Sequence, residues 1–317
     1  MSEAPRQQMQ CMEVWGGSQL TDQSVEFGGL DTWVYSKPYG DAEHGGDVYY
    51  ASSCATGRIS RLLLADVAGH GHAVAETAAH LRTLMRRFVN RLDQAEFVKL
   101  LNQEFGSLSK AGAFATAVVT TFFAPSRRLM ICNAGHPRPL LYRAEDGSWS
   151  LLTHKSSGMA TAPQNLPLGM IDITEYEHFD VELEPGDCVV TYTDALIESS
   201  GEDGEMLGES GVLQIVRGLG RIEIEALIPA LLGEIVRRNP GNLTDDDVTV
   251  LAMRANGRQL HFSIGEKLHA AARLAGSLIG AVHRHAEYPP LPDAHWANIG
   301  GAIIPALGRR WRAPKGE

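Results

Sequence analysis

The chain has 317 residues, of which 44% are hydrophobic and 21% are charged, a composition typical of a folded globular protein and too apolar for a disordered one. Its formal net charge of −10 argues against a nucleic-acid-binding body, because phosphate backbones are bound by clustered cations. The amino-terminal residues show no apolar stretch behind a basic start. They do not match a secretion signal, and we expect a cytoplasmic protein.

Charge divides the sequence into two unequal parts. Residues 1–257 contain 20 Lys and Arg against 34 Asp and Glu, whereas residues 258–317 contain 8 against 4, so the net charges are −14 and +4. We predict an amino-terminal extension at 1–27, a catalytic domain at 28–257, and a basic, partly helical appendage at 258–317. The asymmetry suggests that the appendage docks on the acidic body, pairs in a dimer or lies on an anionic membrane surface, and we favour docking on the body.

The apolar segments of this appendage are too short to cross a bilayer. Neither approaches the ~20 apolar residues that a membrane-spanning helix requires, and each is interrupted, one by Arg273 and the other by Pro305. We therefore predict no transmembrane segment.

In chain order, short apolar runs bounded by turn residues predict three strands, then two helices, then further strands. The first three strands are expected in LDTWVYSKPYG, DVYYASSCATG and RISRLLLADVAGHG. Helical spacing of apolar residues predicts a helix that ends near Phe88, and a second that begins after Asp93, which is placed to cap it. Four more strands are expected in ATAVVTTFFA, RLMICNAGH, RPLLYRA and SWSLLT.

The remaining elements of the body are a strand in DCVVTYTD, an amphipathic helix from Ile224 to Ile235, and a last strand in DVTVLAMR. Strands cluster with their hairpin neighbours and helices occur in pairs, which is typical of an α+β fold with antiparallel sheets.

Aspartates mark the ends of several strands that should be buried. Asp66 ends RLLLAD, Asp194 ends CVVTYTD, Asp246 and Asp247 open DVTVLAM, and Asp47 follows the glycines of HGGDVYY. If these strand ends meet, the carboxylates share a small volume, where uncompensated charges repel and raise one another's pKa. Bound cations would neutralise these carboxylates and remove the repulsion.

Oxygen ligands without convergent His or Cys indicate magnesium or manganese, and four negative charges are matched by two divalent ions. Two such ions can activate a water and hold phosphate oxygens during in-line attack. The backbone carbonyl of Val67 can also face a metal. We interpret His44, His70, His72 and His136 as hydrogen-bonding residues, with ligation or proton donation to a leaving alcohol as the alternative.

At these residues the sequence resembles the PPM family of metal-dependent protein phosphatases, and within it the SpoIIE-like branch that regulates bacterial sigma-factor switches. The resemblance extends from about Gly45 to Arg254, and its motifs are GGDVYY, ADVAGHG, NAGHPRPLL, LPLGM, YTDALIES and DDDVTVLAMR. It implies an α-β-β-α four-layer sandwich of two antiparallel sheets flanked by helices, with two manganese or magnesium ions between the sheets.

The resemblance also implies roles for individual residues. Asp66 would bridge both ions, and the Val67 carbonyl would bind one of them. Asp194 and Asp246 would hold the other ion, with Asp247 as the alternative to Asp246. Asp47 would contact a metal or its water, which makes Asp47 and Asp66 the expected catalytic carboxylates.

The expected activity is hydrolysis of phosphoserine or phosphothreonine on a partner-switching regulator that resembles an anti-sigma antagonist. The alternative is a pseudophosphatase that binds a phosphoprotein without turnover. Its support is Tyr50, which stands where the first motif of this branch often has an aspartate.

Overall fold

A computed structural model describes residues 7–8, 14–53, 57–69, 72–89, 91, 93–108, 112–153 and 164–258. The predicted appendage lies outside these residues except for Arg258. None of the helices in the described ranges is long and apolar enough to span a bilayer.

The described elements are thirteen strands, five α-helices and one short 3-10 helix at Ala124–Ser126. The strands are β1 (Gln7–Gln8), β2 (Val14–Gly17), β3 (Thr21–Phe27), β4 (Leu30–Lys37), β5 (Asp47–Ser53), β6 (Ile59–Val67), β7 (Ala115–Phe123), β8 (Arg128–Ala134), β9 (Leu140–Arg143), β10 (Ser148–Leu151), β11 (Phe179–Glu182), β12 (Cys188–Tyr192) and β13 (Val248–Ala255). The helices are α1 (His72–Phe88), α2 (Gln94–Leu108), α3 (Ala195–Glu198), α4 (Gly208–Gly218) and α5 (Ile224–Arg238).

These strands form two sheets. One has the order β1-β3-β4-β13-β12-β9-β10 and the other β11-β8-β7-β6-β5-β2. All neighbouring pairs are antiparallel except β1 and β3, which are parallel at an edge.

Three apolar layers hold the sheets and helices together. Residues such as Tyr49, Leu64 and Leu251 fill the space between the two sheets. The outer face of the six-stranded sheet packs against α1 and α2, and the outer face of the seven-stranded sheet packs against α3, α4 and α5. Because successive strand residues point to opposite faces, each buried strand serves two layers at once. The prediction of an α+β, α-β-β-α sandwich is confirmed.

The sandwich includes β2 and β3, which lie within residues 1–27, the range predicted to be an extension. β2 pairs with β5, and β3 pairs with β4 through the turn that contains Gly29. Val25 and Phe27 of β3 are buried between the sheets. The sequence TDQSVEF has only a weak alternation, so its place in the sheet follows from pairing with β4 and not from its own pattern.

Candidate metal centre

Asp47 and Asp66 are direct partners across two neighbouring strands. Asp47 opens β5, Asp66 is the penultimate residue of β6, and the antiparallel register places them opposite each other. Asp47 is buried, with 3% of its surface exposed. Opposite residues of an antiparallel pair point to the same face, so the two carboxylates are close neighbours.

Val67 follows Asp66 at the end of β6 and is also buried. Its backbone N–H donates a hydrogen bond to the carbonyl of Gly46 over 3.4 Å. The predicted carbonyl ligand is therefore tied to the residue that precedes Asp47.

Residues of the other sheet meet Asp47 from across the sandwich. The hydroxyl of Thr193, which follows β12, donates a hydrogen bond to Asp47 Oδ2 over 2.9 Å. Thr193 Oγ1 in turn accepts the backbone N–H of Thr249 in β13 over 3.0 Å, and the Thr249 hydroxyl also hydrogen-bonds to Asp47. Sequence reasoning missed both threonines, although each is a polar residue within a strand-forming run, VVTYTD or DVTV.

The next acidic residues lie at the ends of β12 and β13. Asp194 directly precedes α3 and makes a side-chain hydrogen bond with Asp66. Asp246 and Asp247 directly precede β13, but Asp246 is exposed whereas Asp247 is only 6% exposed. The structure therefore places Asp47, Asp66 and Asp194 close together. The two aspartates before β13 differ in environment, because Asp246 is exposed to solvent and Asp247 is buried.

The electrostatics of the cluster are those of crowded carboxylates. Burial and then the charges of Asp194, Asp246 and Asp247 raise the pKa of Asp66 to about 8. Burial and then the charges of Glu198 and Asp246 raise the pKa of Asp194 to about 6.

For Asp47, burial and the charge of Asp66 raise the pKa well above its usual range, and the Thr249 and Thr193 hydroxyls oppose this rise. No basic side chain is among the leading causes of the shifts at Asp47, Asp66 or Asp194.

The donor set suits a hard divalent cation. Asp47 is buried, and Asp66 and Asp194 are half-buried. Their raised pKa values show that positive charge among the described residues does not offset their burial and repulsion, and carboxylate oxygen is the ligand that magnesium and manganese prefer. Within the ranges described, no three His, Cys, Asp or Glu side chains already form a metal-binding group. The carboxylates are thus close enough to repel one another without being gathered around one point.

The histidines have other surroundings. His136 is buried, its Nδ1 lies 2.8 Å from Thr116 Oγ1, and its backbone N–H donates to Asn133 over 2.7 Å. Burial lowers the pKa of His136 to about 3, so this imidazole is neutral at physiological pH. His44 Nδ1 lies 3.3 Å from Ser18 Oγ. His70 and the side chain of His72 lie outside the described residues.

Tyr50 is on the opposite face of β5 from Asp47. Its side chain is fully buried in the apolar layer between the six-stranded sheet and α1 and α2, whereas Tyr49 lies between the sheets. The strand alternation explains this, because residues three apart on a strand point to opposite faces.

Comparisons with known proteins agree with this architecture. The sequence model of the family described as Stage II sporulation protein E (SpoIIE) matches residues 57–256, a range that contains Asp66, Asp194, Asp246 and Asp247. Asp47 precedes the matched range.

Solved structures give the same result at the level of the fold. The structure of the RsbU and RsbW domains of Rv1364c from Mycobacterium tuberculosis is similar over 84% of this chain and 73% of that chain, with 26% identity and a TM-score of 0.60. The PP2C phosphatase domain and a regulatory-domain fragment of SpoIIE from Bacillus subtilis match at 16% identity and a TM-score of 0.58, over 77% of this chain and 70% of that one.

RsbX in complex with magnesium matches at 17% identity and a TM-score of 0.52, over 74% of this chain and 99% of that one. The SpoIIE and RsbX structures, both below 25% identity, share the fold with this chain.

Proposed function

Because the chain belongs to the SpoIIE family, we propose that it is a metal-dependent phosphatase that hydrolyses phosphoserine or phosphothreonine on a regulatory protein. The observation that carries this proposal is the meeting of Asp47 and Asp66 of one sheet with Asp194 at the end of a strand of the other. Among the described residues, no basic side chain is a leading cause of their pKa shifts. Phosphate-ester hydrolysis is a reaction that such a carboxylate cluster, loaded with cations, performs by positioning and charge alone.

The residues that would hold two manganese or magnesium ions are Asp66, the Val67 carbonyl, Asp194 and Asp246. When bound, the ions supply positive charge to the phosphate oxygens and lower the pKa of a coordinated water. Asp66, whose pKa is about 8 without a cation, exchanges a proton for a metal on loading. Asp47, oriented by Thr193, is assigned to a metal or its water.

The substrate class follows from the resemblance to the branch that regulates sigma-factor switches. We propose that the phosphorylated residue belongs to a protein similar to an anti-sigma antagonist. The fold supports the reaction type only, because the same sandwich can serve different phosphoproteins.

The test is manganese-dependent hydrolysis of p-nitrophenyl phosphate and of a phosphoserine peptide. We expect Asp66→Asn and Asp194→Asn to lower turnover by about two orders of magnitude or more, because each removes a charged ligand. Asp172→Asn is the control, since Asp172 is exposed and outside the cluster. Full activity in both ligand variants would reject the assignment.

The alternative proposal is a pseudophosphatase that binds a phosphoprotein through the same cleft. Its support from the sequence was Tyr50, yet that side chain lies in the layer against α1 and not beside Asp47. Calorimetry with manganese separates the two proposals, since weak or absent binding would favour the pseudophosphatase.

We further propose that residues 258–317 dock on the acidic body. Arg258, the first residue of this basic segment, forms an ion pair with Glu26 of β3 at 2.9 Å. Deletion after Gly257 should change the activity and its salt dependence without changing the oligomeric state. A change from dimer to monomer on deletion would instead indicate dimerisation through this segment.

A further inference from the structure

Asp246 and Asp247 are adjacent in sequence but differ in what their carboxylates contact. Asp247 Oδ1 accepts the backbone N–H of Tyr39 over 2.6 Å, and its Oδ2 accepts the backbone N–H of Gly46 over 2.5 Å. Asp246 is exposed and accepts the N–H of Asp247 over 2.8 Å. The charges of both aspartates raise the pKa of Asp66. Each oxygen of Asp247 thus accepts a hydrogen bond from one backbone N–H of the loop.

From these contacts we infer that Asp247 is a positioning residue that clamps the loop formed by residues 38–46 against the start of β13. The inference deepens the proposed function, since this loop connects β4 to the strand that begins with Asp47.

The glycines of the HGGD motif fit this role. A Cβ at Gly45 would lie 2.4 Å from Asp247 Oδ1, and a Cβ at Gly46 would lie 2.8 Å from a Val74 methyl and 3.0 Å from the Val67 carbonyl oxygen. The Asp247 carboxylate therefore occupies the space that a side chain at position 45 would need. Close approach of a carboxylate to backbone amides explains why the loop needs glycine here.

Gly46 connects Asp247 to the candidate metal centre through two backbone hydrogen bonds. Its N–H is held by Asp247, its carbonyl accepts the N–H of Val67 over 3.4 Å, and the next residue in the chain is Asp47. The carboxylate of Asp247, just before β13, thereby fixes the adjoining ends of β5 and β6, which carry Asp47, Asp66 and the Val67 carbonyl. Hydrogen bonds that orient ligands in this way control metal affinity in other proteins.

The geometry also explains why an aspartate suits this position. Two N–H donors, one on each oxygen, match an ionised carboxylate, which only accepts. An asparagine offers one accepting oxygen, and its NH₂ group would face the other N–H.

The experiment compares Asp247→Asn with Asp246→Asn in the metal-free protein. Hydrogen exchange of the Tyr39 and Gly46 amides, followed by NMR, should accelerate about tenfold or more in Asp247→Asn, because one charge-assisted hydrogen bond is lost. In Asp246→Asn these amides should keep their exchange rates. Calorimetry should show that manganese affinity falls more in Asp246→Asn than in Asp247→Asn.

Unchanged exchange at both amides in Asp247→Asn would overturn the inference, as would a loss of manganese affinity in Asp247→Asn at least as large as in Asp246→Asn. Absence of manganese binding in the unaltered protein would refute the proposed function instead, and the metal-free exchange data would still decide the clamp.

A second variant keeps the test valid if Asp247→Asn does not fold. Gly45→Ala retains Asp247 but places a methyl group where its carboxylate lies, and it should accelerate the same amides. Gly233→Ala in α5, where a Cβ meets no atom within 4 Å, is the matched control. Equal protection of the loop in Gly45→Ala and Gly233→Ala would count against the clamp.

Discussion

The hydroxyl of Thr193 donates a hydrogen bond to Asp47 Oδ2 over 2.9 Å, and this bond joins the two sheets at the candidate metal centre. Thr193 Oγ1 also accepts the N–H of Thr249 over 3.0 Å. Because that N–H occupies one side of the hydroxyl oxygen, the hydroxyl proton is directed at Asp47. Asp47 is thus oriented by the sheet opposite to its own.

Replacing Thr193 with valine should weaken metal binding. The hydroxyl stabilises the ionised form of Asp47, and loss of such an orienting hydrogen bond typically lowers metal affinity about 10- to 100-fold. Thr193→Ser, which keeps the hydroxyl, should bind manganese nearly as well as the unaltered protein in calorimetry. Equal manganese affinity in the valine and serine variants would contradict this role.

The metal-free protein should lose stability as the pH rises from about 4 to about 8. The pKa of Asp66 is raised from 3.8 to about 8 and that of Asp194 to about 6, so between these values the folded state binds more protons than the unfolded state. The free energy of unfolding therefore falls over this window and changes little from this source above it. Thermal unfolding in a chelating buffer at several pH values measures the effect.

Asp66→Asn should flatten this pH dependence, because the asparagine side chain does not titrate and is neutral throughout this pH window. The exposed residue Asp172 provides the matched variant Asp172→Asn, which should keep the slope. At pH 8, magnesium or manganese should raise the unfolding temperature of the unaltered protein but not that of Asp66→Asn. An identical pH slope in all three proteins would show that Asp66 is not the titrating group.

Tyr50→Phe should leave the protein as stable as before, or slightly more stable. The Tyr50 hydroxyl is buried and has no hydrogen-bond partner in the described part of the chain, so its removal relieves a desolvation cost of about 1–3 kcal/mol. Manganese affinity should not change, because the ring lies in the layer against α1. A marked loss of manganese binding would show instead that Tyr50 supports the site.

Asp187→Ala should destabilise the fold by about 1–3 kcal/mol, the cost of leaving buried hydrogen-bond donors without an acceptor. Asp187 is 1% exposed, Oδ1 accepts the N–H of Ala144, and Oδ2 accepts from Arg143 and the N–H of Glu184. Its metal affinity should be preserved, since β12 separates Asp187 from Asp194. Chemical denaturation and calorimetry check the two expectations, and reduced manganese affinity in the folded variant would contradict the second.

Elements with strong local patterns were predictable. The runs that became β4, β5 and β6 were identified from their apolar residues and turn glycines, and α1 was identified from its helical spacing. The Asp93 cap is confirmed, since its Oδ1 accepts the N–H of Glu96 over 3.0 Å. Each of these features depends on residues within one turn or one strand, so the local sequence is sufficient to predict it.

Elements whose formation depends on distant partners were missed. β2 reads VWGG and contains two glycines, yet it pairs with β5, where a Cβ at Gly16 would lie 2.6 Å from the Tyr49 carbonyl oxygen. β11 is a four-residue edge strand beside β8. Glycine-rich or short segments carry little intrinsic strand preference, so the neighbouring strand decides their conformation.

The sequence by itself determined that Asp66, Asp194 and the pair Asp246 and Asp247 stand at the ends of apolar strands, because alternation and strand length are local properties. Only the tertiary structure decided which ends meet, which threonine orients Asp47, and that Asp247 holds the loop before β5 while Asp246 stays exposed. The physical reason is that these contacts join residues about 150 to 200 positions apart, and their distances follow from how two sheets stack and not from any one strand.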